Sequence, residues 1–343
     1  MSAANPVLVE VWRGAAVESR HRGAYVVLDG AGGQVAAAGE VDARVFPRSA
    51  IKLLQALPLV ASGAAERWGL SDAELALACA SHNGEPQHVQ TAAGALAKAG
   101  LDEAVLECGA HWPYLDTAQR ALAQAGQQPC ALHNNCSGKH AGFVCLGAHI
   151  GRPEPGWLSG YVEPGHAVMR EVGAALEAAT GARLADAPRG VDGCSIPTYA
   201  LPLRALALGF ARVAGGVGLS AEHARAAQRL REAIARQPFM VGGTGRFDTR
   251  LMQQLGERVC CKVGAEGVYC AALPSLGLGV ALKMDDGNNA RAAEVAMAAL
   301  LRRLLPLEGA DLALVESLAA PLLRNWRGIE VGRLGAGEAL RAP

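Results

Sequence analysis

The chain has 343 residues, 51% hydrophobic and 19% charged, with 32 basic residues balanced by 32 acidic ones. This composition excludes a disordered chain. Zero net charge, with no basic stripe or acidic tail, argues against nucleic acid or an anionic membrane as partner.

Val7 to Trp12 and Ala24 to Leu28 read as strands, and Gly30-Ala31-Gly32-Gly33 turns the chain into a third at Gln34 to Ala38. Pro47-Arg48-Ser49 opens a helix expected to run to about Val60, with Lys52 one turn in. Ser71-Asp72-Ala73-Glu74 is a capping box for a helix ending near Cys79. Ser81-His82-Asn83-Gly84 reads as a polar loop. Helices are expected at 86–99, 116–125, 139–149 and 164–180, then a Gly/Pro-rich patch from Pro188 to Pro197, then helices at 200–213, 221–236 and 247–255. Strands follow at Arg258 to Val263, Gly267 to Leu273 and Leu278 to Met284, a helix at Ala290 to Leu304, and a last strand at Arg327 to Arg333. This order is α+β: a sheet subdomain of roughly 1–45 and 258–343, with a helical subdomain of roughly 46–257 inserted between its halves, in one domain.

Met1-Ser2-Ala3-Ala4-Asn5-Pro6 has neither the basic nor the apolar region of a signal peptide, and no apolar run approaches the roughly 20 residues of a membrane span. Nine cysteines, an odd number, suit reduced thiols, so a cytoplasmic location is expected.

Only five of the 32 basic residues are lysine: Lys52, Lys98, Lys139, Lys262 and Lys283. Where a generic positive charge suffices, arginine is used, so the remaining lysines are enriched for positions that arginine cannot fill. An ammonium can shed a proton when desolvated or set beside another cation, and a guanidinium cannot. Lys98 reads as a solvated helix residue, and Lys283, beside Asp285 and Asp286, as a partner in a structural ion pair.

Ser49-x-x-Lys52 places a hydroxyl and an amine on one face of a helix start. Alone it is weak, since about 0.2 such pairs are expected by chance. Ser81-x-Asn83 alone is ordinary turn chemistry, and Lys262-x-Gly264 is a cheap match, yet Lys262 lies in an apolar strand where an unpaired ammonium is costly. In this chain order the three make up the signature set of serine β-lactamases and penicillin-binding proteins. A fourth group is Cys136-Ser137-Gly138-Lys139-His140 with Asp192-Gly193-Cys194. Two thiolates and a nitrogen suit zinc with one open position; His140 or His133 competes with Lys139 as the nitrogen donor, and unrelated buried cysteines are the plainer reading.

Pro47-Arg48-Ser49-Ala50-Ile51-Lys52, Ala80-Ser81-His82-Asn83-Gly84-Glu85, His133-Asn134-Asn135-Cys136-Ser137-Gly138-Lys139-His140, Val191-Asp192-Gly193-Cys194 and Lys262-Val263-Gly264-Ala265-Glu266-Gly267 together resemble the rhizobial-type L-asparaginases (asparaginase II), from about residue 7 to about 335. The resemblance implies a serine β-lactamase-like fold, a homodimer, and hydrolysis of L-asparagine to L-aspartate and ammonia. It implies Ser49, Lys52, Ser81 and Lys262 as the catalytic set, and Arg48, Asn83, His140 and Asp192 as substrate-binding residues. It also implies one supporting Zn2+ held by Cys136, Lys139 and Cys194. The alternatives are a glutaminase or a penicillin-recognising serine hydrolase.

Overall fold

The structure is a computed structural model that describes residues 4–151 and 156–341, so Met1 to Ala3 of the N-terminal segment lie outside the described residues. Eight strands form one antiparallel sheet: β1 (Val7–Arg13), β2 (Ala16–Asp29), β3 (Gln34–Ala38), β4 (Cys260–Val263), β5 (Val268–Leu273), β6 (Leu278–Met284), β7 (Leu322–Arg324) and β8 (Glu330–Ala336). Their order is β7-β8-β1-β2-β6-β5-β4, with β3 also paired to β2.

The 14-residue β2 joins the two halves of the sheet. Its first half pairs with β1, from Arg22 opposite Val7 to Ala16 opposite Arg13. Its second half pairs with β6, from Gly23 opposite Met284 to Asp29 opposite Leu278, and with β3 on its other side. The sequence pattern marks only Ala24 to Leu28 because Glu18 to Arg22 is polar and largely lacks apolar side chains. Pairing with β1 extends the strand through that stretch.

The middle of the sheet is buried on both faces, since Ala24–Leu28 and Val280–Leu282 are buried without alternation. One face is covered by the helix Leu203–Gly215, which packs against β2, β5 and β6. Its approach is so close that a Cβ on Gly279 would lie 2.1 Å from Ala207 O, which explains the glycine. On the opposite face Tyr25 points towards the C-terminal helices, its hydroxyl donating to Ala339 O at 3.2 Å.

The main helices are α1 (Asp72–Ala78), α2 (Pro86–Lys98), α3 (Asp116–Gln124), α4 (Ser137–Ile150), α5 (Ala167–Thr180), α6 (Leu203–Gly215, described above), α7 (Ala221–Arg236), α8 (Phe247–Leu255), α9 (Glu294–Leu304) and α10 (Gly309–Ala319). The capping box at Ser71 and Glu74 is formed in both directions. The α4 helix packs against α1 and α2, and α7 packs against α1. No helix among the described residues is long and apolar enough to cross a membrane.

Several expectations need correction. The helix expected from Pro47 to Val60 is broken into a 3-10 turn (Arg48–Ile51) and two short helices (Lys52–Gln55 and Leu57–Ala61), the last with Pro58 in its first turn. The Gly/Pro-rich patch contains a small hairpin, Arg189–Val191 with Pro197–Tyr199. The strand expected at 327–333 is displaced, because Asn325 Oδ1 accepts from the N–H groups of Arg327 and Ile329 and makes a turn there; the strands are β7 and β8 on either side. The helix α10 was unread.

Candidate active site

Arg48 has φ 50, a left-handed conformation uncommon for a non-glycine residue. Asp192 holds its side chain there: Arg48 Nε donates to Asp192 Oδ1 at 2.9 Å and a second guanidinium nitrogen lies 2.8 Å from the same oxygen. Burial of Asp192 favours its neutral form, but Arg48 and Lys139 outweigh this and hold the carboxyl below its usual range. This ion pair orients the turn that carries the half-buried Ser49.

The strand β4 lies against the same turn. A Cβ on Gly264 would sit 2.6 Å from Pro47 O and 3.1 Å from Ala50 Cβ. Glycine in Lys262-x-Gly264 therefore lets the strand approach the serine turn, and this closeness brings Lys262 to the site.

Lys52, Lys139 and Lys262 are 1%, 2% and 3% exposed, so each needs partners or neutrality. Lys52 Nζ donates to Ala80 O, to Ser81 Oγ at 2.9 Å and to Cys136 Sγ at 3.0 Å. These partners use its three ammonium protons, and none is Ser49, contrary to direct contact expected from the three-residue spacing. Lys262 Nζ donates to Val263 O at 2.8 Å and lies 3.9 Å from Asp248 Oδ2. Burial pushes the Lys262 ammonium down to about 7; Asp248 opposes the shift, while Lys52 and Arg246 add to it.

The polar loop that begins at Ser81 is buried through Glu85. Ser81 N–H donates to Val241 O, His82 N–H to Asn135 O and Asn83 N–H to Gly242 O, so its backbone is paired with two other segments. Asn83 Nδ2 donates to Thr244 O at 3.1 Å, and its Oδ1 accepts from Arg246 at 3.3 Å.

Cys136, Lys139 and Cys194 come together. Lys139 Nζ is 2.9 Å from Cys194 Sγ. A hydrogen bond from Cys194 holds the Cys136 thiol well below its usual value against burial, with Lys52 and Lys139 assisting. Burial works against charge on Lys139, but the two sulfurs keep its ammonium above the usual value. Among the described residues no three His, Cys, Asp or Glu side chains form a metal-holding group, so a metal here would take an amine as its third donor. Two sulfurs and one amine fit zinc chemically. Of the competing histidines, His133 Nδ1 accepts from Cys130 N–H, and His140 Nδ1 lies 2.6 Å from the Tyr161 hydroxyl. His140 Nε2 is buried with no protein partner, and burial holds the ring well below its usual pKa, hence neutral.

Lys98 is exposed at the end of α2, as expected, whereas the expectation for Lys283 fails. Lys98 also bonds the buried Glu74 at 2.6 Å and Gly69 O at 3.0 Å. Lys283 makes no ion pair with Asp285 or Asp286; its ammonium donates to the carbonyls of Glu266 and Met284.

Sequence reasoning missed Asp248, Glu85 and the Gly242-Gly243-Thr244-Gly245-Arg246 turn. Glu85 accepts from Thr244 N–H at 2.7 Å and from the Thr244 hydroxyl at 2.6 Å, clamping that turn beside Ser81 and Asn83. The glycine run was a readable signal. For Asp248 the only signal was Lys262 itself, a strand lysine in need of a counterion.

Two solved structures of Mglu, one in its native form and one in its native form in 4.3 M NaCl, are 14% and 13% identical, and each match covers 84% of this chain. The matches span 66% and 63% of those chains with TM-scores of 0.37, a likeness too distant to bear on fold or chemistry. No curated protein matches the chain at a significant level. The profile of the L-asparaginase II family matches residues 9–336, nearly the full length. The chain therefore belongs to the L-asparaginase II family.

Proposed function

We propose that the protein hydrolyses L-asparagine to L-aspartate and ammonia through an ester on Ser49. The observation that carries this reading is the pair of buried lysines beside the serine turn, one with its ammonium protons fully engaged and the other pushed down to about 7, in a chain of this family. Ser49 Oγ attacks the side-chain amide carbon, and its proton passes to the lysine pair, where Lys262 holds the vacancy. Lys52 orients Ser81, which relays a proton to the departing ammonia. Water then attacks the β-aspartyl ester, releasing aspartate and restoring the Ser49 hydroxyl.

Asn83, His140 and the Arg48–Asp192 pair are the handles for a short polar substrate, which offers little apolar area for recognition. The unpartnered His140 Nε2 supports its part in this. Cys136, Lys139 and Cys194 would hold one zinc ion, which when bound supplies a fixed positive charge for binding rather than the nucleophile. The fold is proposed as serine β-lactamase-like and the assembly as a homodimer, both on family resemblance.

The test is ammonia release from L-asparagine and L-glutamine by the purified protein, with and without added zinc. Higher kcat/KM for asparagine is expected. Preference for glutamine would make it a glutaminase, and turnover of nitrocefin with neither amide hydrolysed would replace the reading with a penicillin-recognising one.

A further inference from the structure

Asp248 stands in the first turn of α8 and is 1% exposed. Its carboxylate reaches three consecutive residues of β4. Oδ2 accepts from Val263 N–H at 3.3 Å and lies 3.9 Å from Lys262 Nζ, and Oδ1 faces Cys261 Sγ at 3.9 Å. Among the described residues it is the one carboxylate within ion-pair distance of Lys262. A buried carboxylate without a cation would be costly, and so would the ammonium without an anion.

We infer that Asp248 is a positioning residue for Lys262, fixing the end of β4 by its backbone and placing one negative charge opposite the amine. The inference rests on the reading of Lys262 as an active-site amine. Asp248 both anchors the strand that Gly264 brings against the serine turn and sets how readily Lys262 gives up its proton.

Among the remaining groups facing Lys262, Cys136 alone adds negative charge, and its influence is smaller than that of Asp248. Lys52 and Arg246 are cations that disfavour its protonation, while Cys136 is the other group favouring it. Burial holds the thiols of Cys79, Cys261 and Cys270 far above their usual values, so they are neutral. Beyond Asp248 lies Glu294, which burial and Asp248 push up to about 7, so little negative charge stands behind Asp248 in acid.

The chain has five lysines, so selective 13C labelling at lysine Cε gives a spectrum in which Lys262→Arg identifies the Lys262 signal. Its midpoint in the unaltered protein is expected at about 7. Asp248→Asn should lower that midpoint by about one unit or more, because an anion that favours the ammonium is lost. The acid limb of kcat/KM should move down with it. Asp248→Glu keeps the charge and should leave the midpoint within about half a unit, while kcat falls about tenfold because the longer side chain displaces β4. An unchanged midpoint in Asp248→Asn overturns the inference, even if that variant is less stable. A shifted midpoint with an unmoved acid limb upholds it and instead removes Lys262 from the proton transfer. If Asp248→Asn does not fold, Asp248→Glu decides: full activity with an unchanged acid limb overturns the inference.

Discussion

At the scale of single residues, the proposed chemistry rests on lysine and serine. The Ser49 turn has no side-chain cap hydrogen bond, and its N-cap position is Pro47. Ser49→Ala should therefore change stability by no more than about 0.5 kcal/mol while abolishing ammonia release. A variant retaining more than a few per cent of the activity would place the nucleophile elsewhere. Lys52→Arg and Lys262→Arg preserve charge, yet a guanidinium neither deprotonates nor fits three compact acceptors as an ammonium does. Both should lose kcat, and raising the pH should not restore it. Lys98→Arg is the control: its ion pair with Glu74 lies away from Ser49, so the rate should be unchanged. Because Lys262 must be neutral to accept a proton, kcat/KM should rise with pH through about 7. A flat profile from pH 6 to 8 would remove Lys262 from that role.

At the scale of elements, the site lies where β4 meets the Arg48–Ile51 turn on one side and α8 on the other. Glu294 opens α9, and burial with the neighbouring Asp248 raises its carboxyl from 4.5 to about 7. The folded state therefore binds a proton that the unfolded state has lost between these values, and this contribution to stability disappears as pH rises through that window. Glu294→Gln removes the titration. Its denaturation midpoint relative to the parent should improve from pH 4.5 to pH 8, and a pH-independent difference would show that Glu294 is not held in its protonated form. The capping box of α1 and the spans of α7 and α8 follow local pattern closely. The break after Ile51 does not, because no composition cue distinguishes a continuous helix from a 3-10 turn pressed against β4.

Across the whole molecule, distant segments meet at the Cys136–Lys139–Cys194 group. Cys136 precedes α4, whereas Cys194 lies between the strands of the small hairpin. A metal held by all three would cross-link these segments and stabilise the fold when bound. Metal analysis of the purified protein should find about one zinc per chain, and chelation should lower the melting temperature and raise KM more than it lowers kcat. Cys194→Ser should do the same. Absence of zinc together with indifference of both stability and KM to chelators would rule this site out.

The sequence by itself determined the elements with strong local period and pointed to the lysines, whose ammonium can shed a proton as a guanidinium cannot. Five lysines among 32 basic residues singled out Lys52, Lys139 and Lys262, and all three are buried together near the Ser49 turn. Local patterning marked β1, β3, β5 and β6 because apolar runs bounded by turns need no distant partner to be recognised. Tertiary structure alone decided which hydrogen bonds those lysines make: Lys52 meets Ser81 and Cys136 rather than Ser49, and Lys262 meets Asp248. It also decided the burial of Ser81 to Glu85 and the extension of β2 through a polar stretch. These depend on backbone pairing and counterions supplied from distant parts of the chain. A charge or a polar backbone group tolerates burial only when such a partner arrives, and its arrival is a property of packing rather than of local sequence.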